Sequence, residues 1–474
     1  MMAFGHPFAP ESTWTRQVNK QMSQIENKAI FEEMPIPKAA KKLMIPTVLS
    51  SLVMVIYSLA DTYFVGRLND PLQNAAVTLA APVMLSFNAV SNLFGVGSSS
   101  MMSRALGRKD FDTVKKSAAF GFYCALAGGL LISAVCLLFQ TGMLKILGAD
   151  AVTMESTAAY MKWTVICGAA PSILNVVMAY FVRSEGAAFH ASIGTMSGCI
   201  LNMILDPIFI MPWGLGMGAA GAGLATFLSN CTACCYFFIL LYIKRGRTFI
   251  SVKPKDFTLK KEIVAGICGV GVPASIQNLL NVTGMTILNN LMSGYGTEAV
   301  AAIGIAQKIY MIPMQIALGG TQGIMPLVGY SYSSKNYRRM DETIRFVRRL
   351  LIPSLAVVAA FGCMFAPGLI RIFIGNPEII RYGTIFLRAL SLCIVFLVID
   401  FLGIGVFQSV GKGKISLVFA ILRKIVFEIP ATLILNGLFG IYGIAYGAFA
   451  AELMLAGIST VILTRMMKGL LENA

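Results

Sequence analysis

Long runs of apolar residues recur from Leu43 to Met467, separated by short polar segments. Each run has about 20 residues or more, the length that a helix needs to cross a hydrocarbon core of about 30 Å. The runs do not alternate as barrel strands do, and an unpaired backbone is costly in lipid, so the pattern predicts helices. The twelve predicted spans are 43–66, 78–102, 117–139, 158–181, 187–211, 218–243, 263–292, 299–330, 345–366, 383–408, 414–436 and 441–464.

The composition agrees with this pattern. Hydrophobic residues make up 57% of the 474 residues and charged residues only 13%, whereas soluble domains carry about a quarter of charged residues. So much apolar surface cannot be covered in a water-soluble core. We therefore predict an all-α integral membrane protein with no catalytic function.

Lys and Arg are distributed unevenly over the loops. Of the 38 basic residues, 29 lie on the N-terminal tail and on every second loop, and four lie on the opposite loops. By the positive-inside rule both termini are predicted to be cytoplasmic. This distribution accounts for the net charge of +16 without nucleic acid as a partner.

The chain repeats itself at an offset of about 227 residues, which is typical of secondary transporters. The matching landmarks are Pro46 with Pro273, residues 107–116 with 333–342, Gly186 with Gly411, and Gly218 with Gly440. Six spans in each half give both halves the same orientation, so we predict two pseudo-symmetric six-helix lobes around a central cavity. The predicted division is a cytoplasmic tail (1–37), an N-lobe (38–245), a cytoplasmic linker (246–262) and a C-lobe (263–467).

Acidic residues inside apolar spans are costly and persist mainly where function or a partner keeps them. Asp61 lies in the first span, and Asn202 and Asp206 lie four residues apart on one face of the fifth. Carboxylates with amide and hydroxyl oxygens suit an alkali cation or a stored proton. The alternative is that these groups only hold helices together through hydrogen bonds.

Several motifs in the N-terminal half together resemble those of the multidrug and toxic compound extrusion (MATE) family. They are Pro46, residues 57–66 (YSLADTYFVG), Gly95-Val-Gly97, residues 103–110 (SRALGRKD), residues 202–207 (NMILDP) and residues 218–226 (GAAGAGLAT). The similarity covers residues 40 to 466 in span order and looks closest to the bacterial MepA-like and DinF-like branches. It implies a V-shaped pair of lobes that exports organic cations or other amphipathic compounds in exchange for H⁺ or Na⁺.

The resemblance also implies roles for particular residues. Asp61, Asn202, Asp206 and Thr226, with the carbonyl of Ala222, would hold the coupling cation or proton, and no other metal or cofactor is implied. Pro46 frees a carbonyl one turn earlier and allows the first span to bend. We expect that ion or proton binding changes this bend and releases the drug outward.

The C-terminal half departs from this pattern. Where the fifth span has Asn202 and Asp206, the eleventh has Arg423, Lys424 and Glu428. Lys424 and Glu428 are four residues apart and are predicted to form an internal ion pair. Because built-in cations would replace the free ion, we predict that the N-lobe alone binds the coupling cation.

Polar residues at other mid-span positions are candidates for the substrate cavity, namely Asn175, Gln277, Asn281 and Asp400. NorM-like members of the family resemble this chain in having an Asp at position 400, but they carry a Glu where this chain has Asn281. Asp400 could therefore attract cationic drugs or could serve helix packing. The amides could equally pack one span against another.

The sequence leaves rival functions open. A lipid or lipid-linked oligosaccharide flippase of the same superfamily would need a basic cavity, whereas the mid-span charges here lean acidic, apart from Arg423 and Lys424. A membrane enzyme lacks a nucleophile–base pairing or a metal cluster, and a channel fits a twofold repeat less well than alternating access does. The expected partners are membrane lipid and small amphipathic or cationic substrates, and we expect a monomer in the bacterial cytoplasmic membrane.

Overall fold

The computed structural model describes residues 29–68 and 70–472, and this part of the chain is almost entirely helical. The first 28 residues of the predicted cytoplasmic tail lie outside the described residues. Twelve long helical segments, labelled α1 to α12 in chain order, are Ile36–Gly66, Pro71–Gly107, Phe111–Leu138, Met154–Cys167 with Ala169–Ser184, Ala188–Ile210, Gly218–Ile243, Lys261–Ser293, Thr297–Ser333, Tyr337–Arg371, Pro377–Ser409, Gly413–Ile421 with Leu422–Glu428 and Ile429–Phe439, and Ile441–Glu472.

Each predicted span lies within one of these helices to within a residue. Ten helices in the described ranges are long and apolar enough to cross a membrane, and the two halves of α4, bent by 46°, make an eleventh. The twelfth, α11, carries three charged residues inside its π-helical stretch Leu422–Glu428. The twelve-helix prediction is confirmed.

The two halves form two lobes. In the N-lobe, α1 packs on α5, α5 on α6, and α3 on α4. In the C-lobe, α10 packs on α8, α9 and α12, and α11 packs on α12. The first half of α1 is shared between the lobes, because Ala40 and Met44 belong to a hydrophobic cluster built otherwise from C-lobe residues.

The repeat extends to backbone geometry. α2 and α8 both end with a lysine in the left-handed region, Lys109 and Lys335, each at φ 60°. In each case the next N–H reaches back to a carbonyl five residues earlier, which is the Schellman motif that closes a helix. Gly186 and Gly411, which the sequence also aligns, end α4 and α10 in the same way at φ 83°.

The lobes meet at one end of the bundle, which we call the inner end because the lysine-rich and arginine-rich loops lie there. A Cβ at Gly97 of α2 would lie 2.5 Å from the carbonyl oxygen of Ile267 on α7, and one at Gly271 would overlap the carbonyl oxygen of Leu93. Ser100 donates a hydrogen bond to the carbonyl of Gln408 across the same interface, at 2.5 Å. Only glycine allows this close packing of the lobes.

A short π-helical turn, Ala29–Glu33, reinforces the inner end before α1 begins. The Phe31 ring is buried and stacks on Tyr330 of α8 with the ring centroids 4.8 Å apart. The Tyr330 hydroxyl donates to Glu32 at 2.6 Å, and Arg339 of α9 donates to the carbonyl of Met34 at 2.7 Å. The segment that enters the N-lobe is therefore tied to the C-lobe.

Candidate functional site

The N-lobe candidate site is built on one face of α5. Asn202 and Asp206 lie one helical turn apart and are 1% and 0% exposed. With the Asn202 amide oriented to satisfy both of its polar atoms, its nitrogen donates to Asp206 Oδ2 at 2.8 Å and its oxygen accepts from the Thr226 N–H at 3.0 Å. These bonds hold the Asp206 carboxylate at the contact between α5 and α6.

Small residues bring these helices close enough for such short bonds. A Cβ at Gly198 of α5 would lie 3.0 Å from the carbonyl of Ser229 on α6. Ala222 lies one turn before Thr226 and is 1% exposed, so its backbone belongs to the same face of α6. The early part of α6 is rich in Gly and Ala because the backbone itself packs there.

Asp61 of α1 completes the cluster. Its carboxylate is partly buried and close enough to Asp206 for the two charges to interact. The Tyr57 hydroxyl, one turn before Asp61, lies within hydrogen-bonding reach of Thr226 and interacts with both carboxylates. The structure thus brings Asp61, Asn202, Asp206 and Thr226 together, and their role as an ion site stays a prediction.

Two carboxylates that interact inside a low-dielectric lobe cannot both stay ionised at low cost. A cation between them, or a proton on one of them, relieves the repulsion. The surrounding oxygens come from carboxylate, amide and hydroxyl groups, which are hard ligands that suit Na⁺ and also accept protons. The chemistry of the cluster therefore suits one monovalent inorganic cation or one proton.

Asn175 of α4 lies next to this cluster. Its side-chain nitrogen donates to Asn230 Oδ1 at 3.2 Å, and Asn230 in turn donates to the carbonyl of Thr226 at 3.0 Å. Asn175 therefore belongs to a polar network inside the N-lobe, one link away from the residue that binds Asn202.

The C-lobe carries its own buried charges. Lys424 Nζ lies 2.6 Å from Glu428, one turn later on α11. Arg423 does not join this pair; it reaches Glu452 on α12 at 2.5 Å, and both of these residues are buried. Gly284 of α7 makes room for the lysine, because a Cβ there would lie 3.1 Å from Lys424 Cδ. Both cations of α11 are therefore neutralised by carboxylates of the same lobe.

Asp400 of α10 lies beside the Arg423–Glu452 pair and is fully buried. Among the described residues, only the carboxyl group of Glu452 lies within hydrogen-bonding reach of its oxygens. The structure places Asp400 inside the C-lobe, not on the surface between the lobes.

A cavity of about 260 Å³ lies between the lobes. Gln277 and Asn281 of α7 line it together with Asn278 and Gln322, whereas neither Asn175 nor Asp400 does. Gln277 accepts a hydrogen bond from Gln408 at 3.3 Å, which joins α7 to α10. Amide, hydroxyl and apolar side chains line this cavity, and no residue of its described lining is charged.

Pro46 lies in the shared half of α1. A Cβ at Gly319 of α8 would lie 3.0 Å from Val48, and one at Gly323 would lie 2.8 Å from Met44, so α8 crosses α1 directly beside the proline. The Thr47 hydroxyl bonds back to the carbonyl of Leu43 at 2.9 Å. Pro46 is thus placed where α1 passes from the C-lobe contact to the N-lobe site.

Sequence reasoning did not assign a role to three residues of these networks. Tyr57 stands four residues before Asp61, and this spacing alone places both on one helical face. Tyr160 of α4 lies near enough to Asp61 and Asp206 for an electrostatic interaction, but no local pattern indicates this proximity. The same holds for Asn230, because its partner Asn175 is 55 residues away.

Comparisons with known proteins place these features in one family. The MatE family model matches residues 46–208 and 273–434, two segments that begin at the aligned residues Pro46 and Pro273. The multidrug export protein MepA of Staphylococcus aureus (strain MRSA252) is 32% identical over 429 residues, covering 90% of this chain and 93% of the relative.

Two solved structures show the same architecture. A crystal structure of MATE in the straight conformation has a TM-score of 0.88 at 26% identity, covering 94% of this chain and 99% of that one. A multidrug resistance MATE family transporter of the MOP superfamily in the outward-facing conformation has a TM-score of 0.87 at 25% identity, covering 98% and 100%. The chain therefore belongs to the MatE family, the multidrug and toxic compound extrusion transporters.

Proposed function

We propose that this protein is a secondary active multidrug efflux antiporter that exports organic cations and other amphipathic compounds in exchange for H⁺ or Na⁺. The main observation that supports this proposal is the interaction of Asp61 with Asp206, beside Asn202 and Thr226, inside the N-lobe. The name of MepA, a multidrug export protein, supports the substrate class. We place the protein in a bacterial cytoplasmic membrane, with both termini in the cytoplasm.

The coupling cation binds in the N-lobe. Asp61 and Asp206 supply its charge, and Asn202, Thr226 and the carbonyl of Ala222 supply neutral oxygens. The equivalent region of α11 holds two cations that are already paired with Glu428 and Glu452. Glu428 and Glu452 are thus already occupied by built-in cations, so we assign the coupling ion to the N-lobe and not to the C-lobe.

Ion binding and drug release are linked through α1. This helix carries Asp61 in its second half and crosses α8 beside Pro46 in its first half. Neutralising the carboxylates changes how the second half of α1 packs in the N-lobe, and the bend at Pro46 transmits the change to the cavity. An ion and a drug that favour different states weaken each other's binding by the same factor.

The test is drug efflux from proteoliposomes with an imposed pH gradient or an imposed Na⁺ gradient. Asp206→Asn is expected to abolish gradient-driven efflux. Asp112→Asn is the matched control, since Asp112 is 70% exposed and pairs with Lys116 on the surface. If Asp206→Asn left efflux intact while Glu428→Gln abolished it, the coupling site would lie in the other lobe.

The flippase alternative requires basic groups that meet a lipid phosphate. Arg423 and Lys424 are paired, and the described lining of the central cavity contains neither Lys nor Arg. The two functions are separated in one preparation by measuring ethidium efflux and fluorescent-lipid translocation. Gradient-dependent lipid translocation without ethidium efflux would replace the antiporter proposal.

A further inference from the structure

A groove of about 490 Å³ lies at the inner end of the C-lobe, far from the ion cluster along the chain. Its walls come from α9 and α12, and its floor comes from Ile399 and Leu402 of α10. It shares no residue with the central cavity or with either charged cluster. The groove is therefore a separate cavity from the central one.

The groove is basic at its rim. Arg345, Arg348 and Arg349 of α9 line it together with Lys468 of α12. Arg345 is paired with Asp341 at 2.7 Å, and Lys468 approaches Glu472 at 3.8 Å. Arg348 and Arg349 make no ion pair with any described residue, so the rim keeps two free positive charges.

The walls below the rim are apolar. They are formed by Ile344 of α9 and by Leu463 and Met467 of α12, and the two floor residues are apolar as well. Both wall helices change from charged to apolar residues at this point. The apolar stretch follows Arg349 in α9 and precedes Arg465 in α12. This is the level at which lipid headgroups meet the hydrocarbon core.

We infer that this groove binds an anionic phospholipid of the inner leaflet. Arg348 and Arg349 contact the headgroup phosphate, and the acyl chains lie along the apolar walls. A guanidinium binds phosphate through two parallel hydrogen bonds, and basic residues just inside the membrane surface attract anionic lipid. A soluble phosphate would use the rim but would gain nothing from the apolar walls.

The experiment measures lipid binding to the purified full-length protein by native mass spectrometry, with phosphatidylglycerol and phosphatidylcholine as probes. The wild type is expected to prefer phosphatidylglycerol. Each basic residue near a membrane surface contributes roughly fivefold to such binding, so Arg348→Gln with Arg349→Gln should weaken it roughly 25-fold. Phosphatidylcholine binding should change little.

Two further variants separate the groove from general surface charge. Lys253→Gln with Lys255→Gln removes two exposed basic residues of the linker between the lobes (residues 246–262) and should leave the preference unchanged. Thr464→Trp, at an exposed position of the wall, should reduce lipid binding while all the charges stay in place. The inference would be overturned if the linker variant lost as much phosphatidylglycerol binding as the arginine variant, or if Thr464→Trp bound the lipid fully. It would also be overturned if soluble glycerol phosphate displaced the lipid.

Discussion

Asp61 and Asp206 differ in how much of each side chain the protein covers. Asp206 is fully buried, whereas Asp61 is only partly buried. We expect an incoming ion or proton to meet the less buried Asp61 before it reaches Asp206. This order gives the two carboxylates separate contributions to coupling, although both belong to one cluster.

Asp61→Asn should preserve part of the drug binding and remove the dependence of efflux on the ion gradient. The amide keeps the size of the side chain but carries no charge to attract the ion. Drug binding is measured by fluorescence polarisation and efflux in proteoliposomes with and without a gradient. Gradient-driven efflux at the wild-type rate would contradict the role given to Asp61.

Tyr57→Phe tests whether the hydroxyl near Thr226 helps to hold the ion. A hydrogen bond between neutral groups contributes about 0.5–1.5 kcal/mol, so the ion affinity should fall roughly two- to tenfold. The measurement is the ion concentration that gives half-maximal efflux. Tyr63→Phe on the exposed part of α1 is the control, and an equal effect there would assign the change to the helix surface.

At the level of helices, the left-handed lysines at the ends of α2 and α8 carry backbone strain. For a residue other than glycine, the left-handed conformation costs about 1–2 kcal/mol of conformational energy. Lys335→Gly should therefore raise the thermal unfolding temperature, and Lys335→Val should lower it. Lys414→Gly, in the first turn of α11, is the control and should lower stability. A lower unfolding temperature for Lys335→Gly would mean that the lysine side chain itself stabilises the loop.

The contact between α11 and α12 depends on a buried ion pair. Glu452→Gln leaves Arg423 without its carboxylate partner, and breaking a buried pair from one side costs roughly 3–5 kcal/mol. In an Asp400→Asn background, Arg423→Met with Glu452→Leu should recover most of this loss, because no buried charge then lacks its partner. Thermal unfolding in detergent measures both. A double variant no more stable than Glu452→Gln would show that the charges do more than balance each other.

Helical periodicity explains what could be predicted about these elements. Asn202 with Asp206, and Lys424 with Glu428, stand four residues apart, so the sequence alone places each pair on one face. Arg423 and Glu452 are 29 residues apart on different helices. Their contact depends on how α11 packs on α12 and on the π-helical stretch that shifts the faces of α11, and neither is visible in the periodicity of the chain.

The same distinction holds for the cavity. Gln277 and Asn281 share a face of α7 and reach the cavity between the lobes. Asn175 and Asp400 occupy matching positions in the repeat, because α4 and α10 are each the fourth span of their half. Both residues face the interior of their own lobe. Polarity within a span indicates a buried partner, but the direction of that partner is set by packing among all six helices of a lobe.

At the scale of the whole molecule, closure of the inner end requires backbones to touch. Gly271 of α7 packs against the carbonyl of Leu93 on α2 so closely that a Cβ would overlap it. Gly271→Ala should therefore separate the lobes at the inner end and favour a state open to the cytoplasm. Efflux should fall at least about tenfold, which corresponds to a shift of about 1.4 kcal/mol between the two states.

Gly269→Ala is the matched control, because it lies on the same helix and a Cβ there has no described neighbour within 4 Å. Both variants add the same methyl group and the same helix propensity. Hydrogen–deuterium exchange of residues 93–107 should increase in Gly271→Ala and stay unchanged in Gly269→Ala. If both variants transported and exchanged like the wild type, glycine packing would not control the closure. If both lost transport equally, the loss would come from α7 itself and not from its contact with α2.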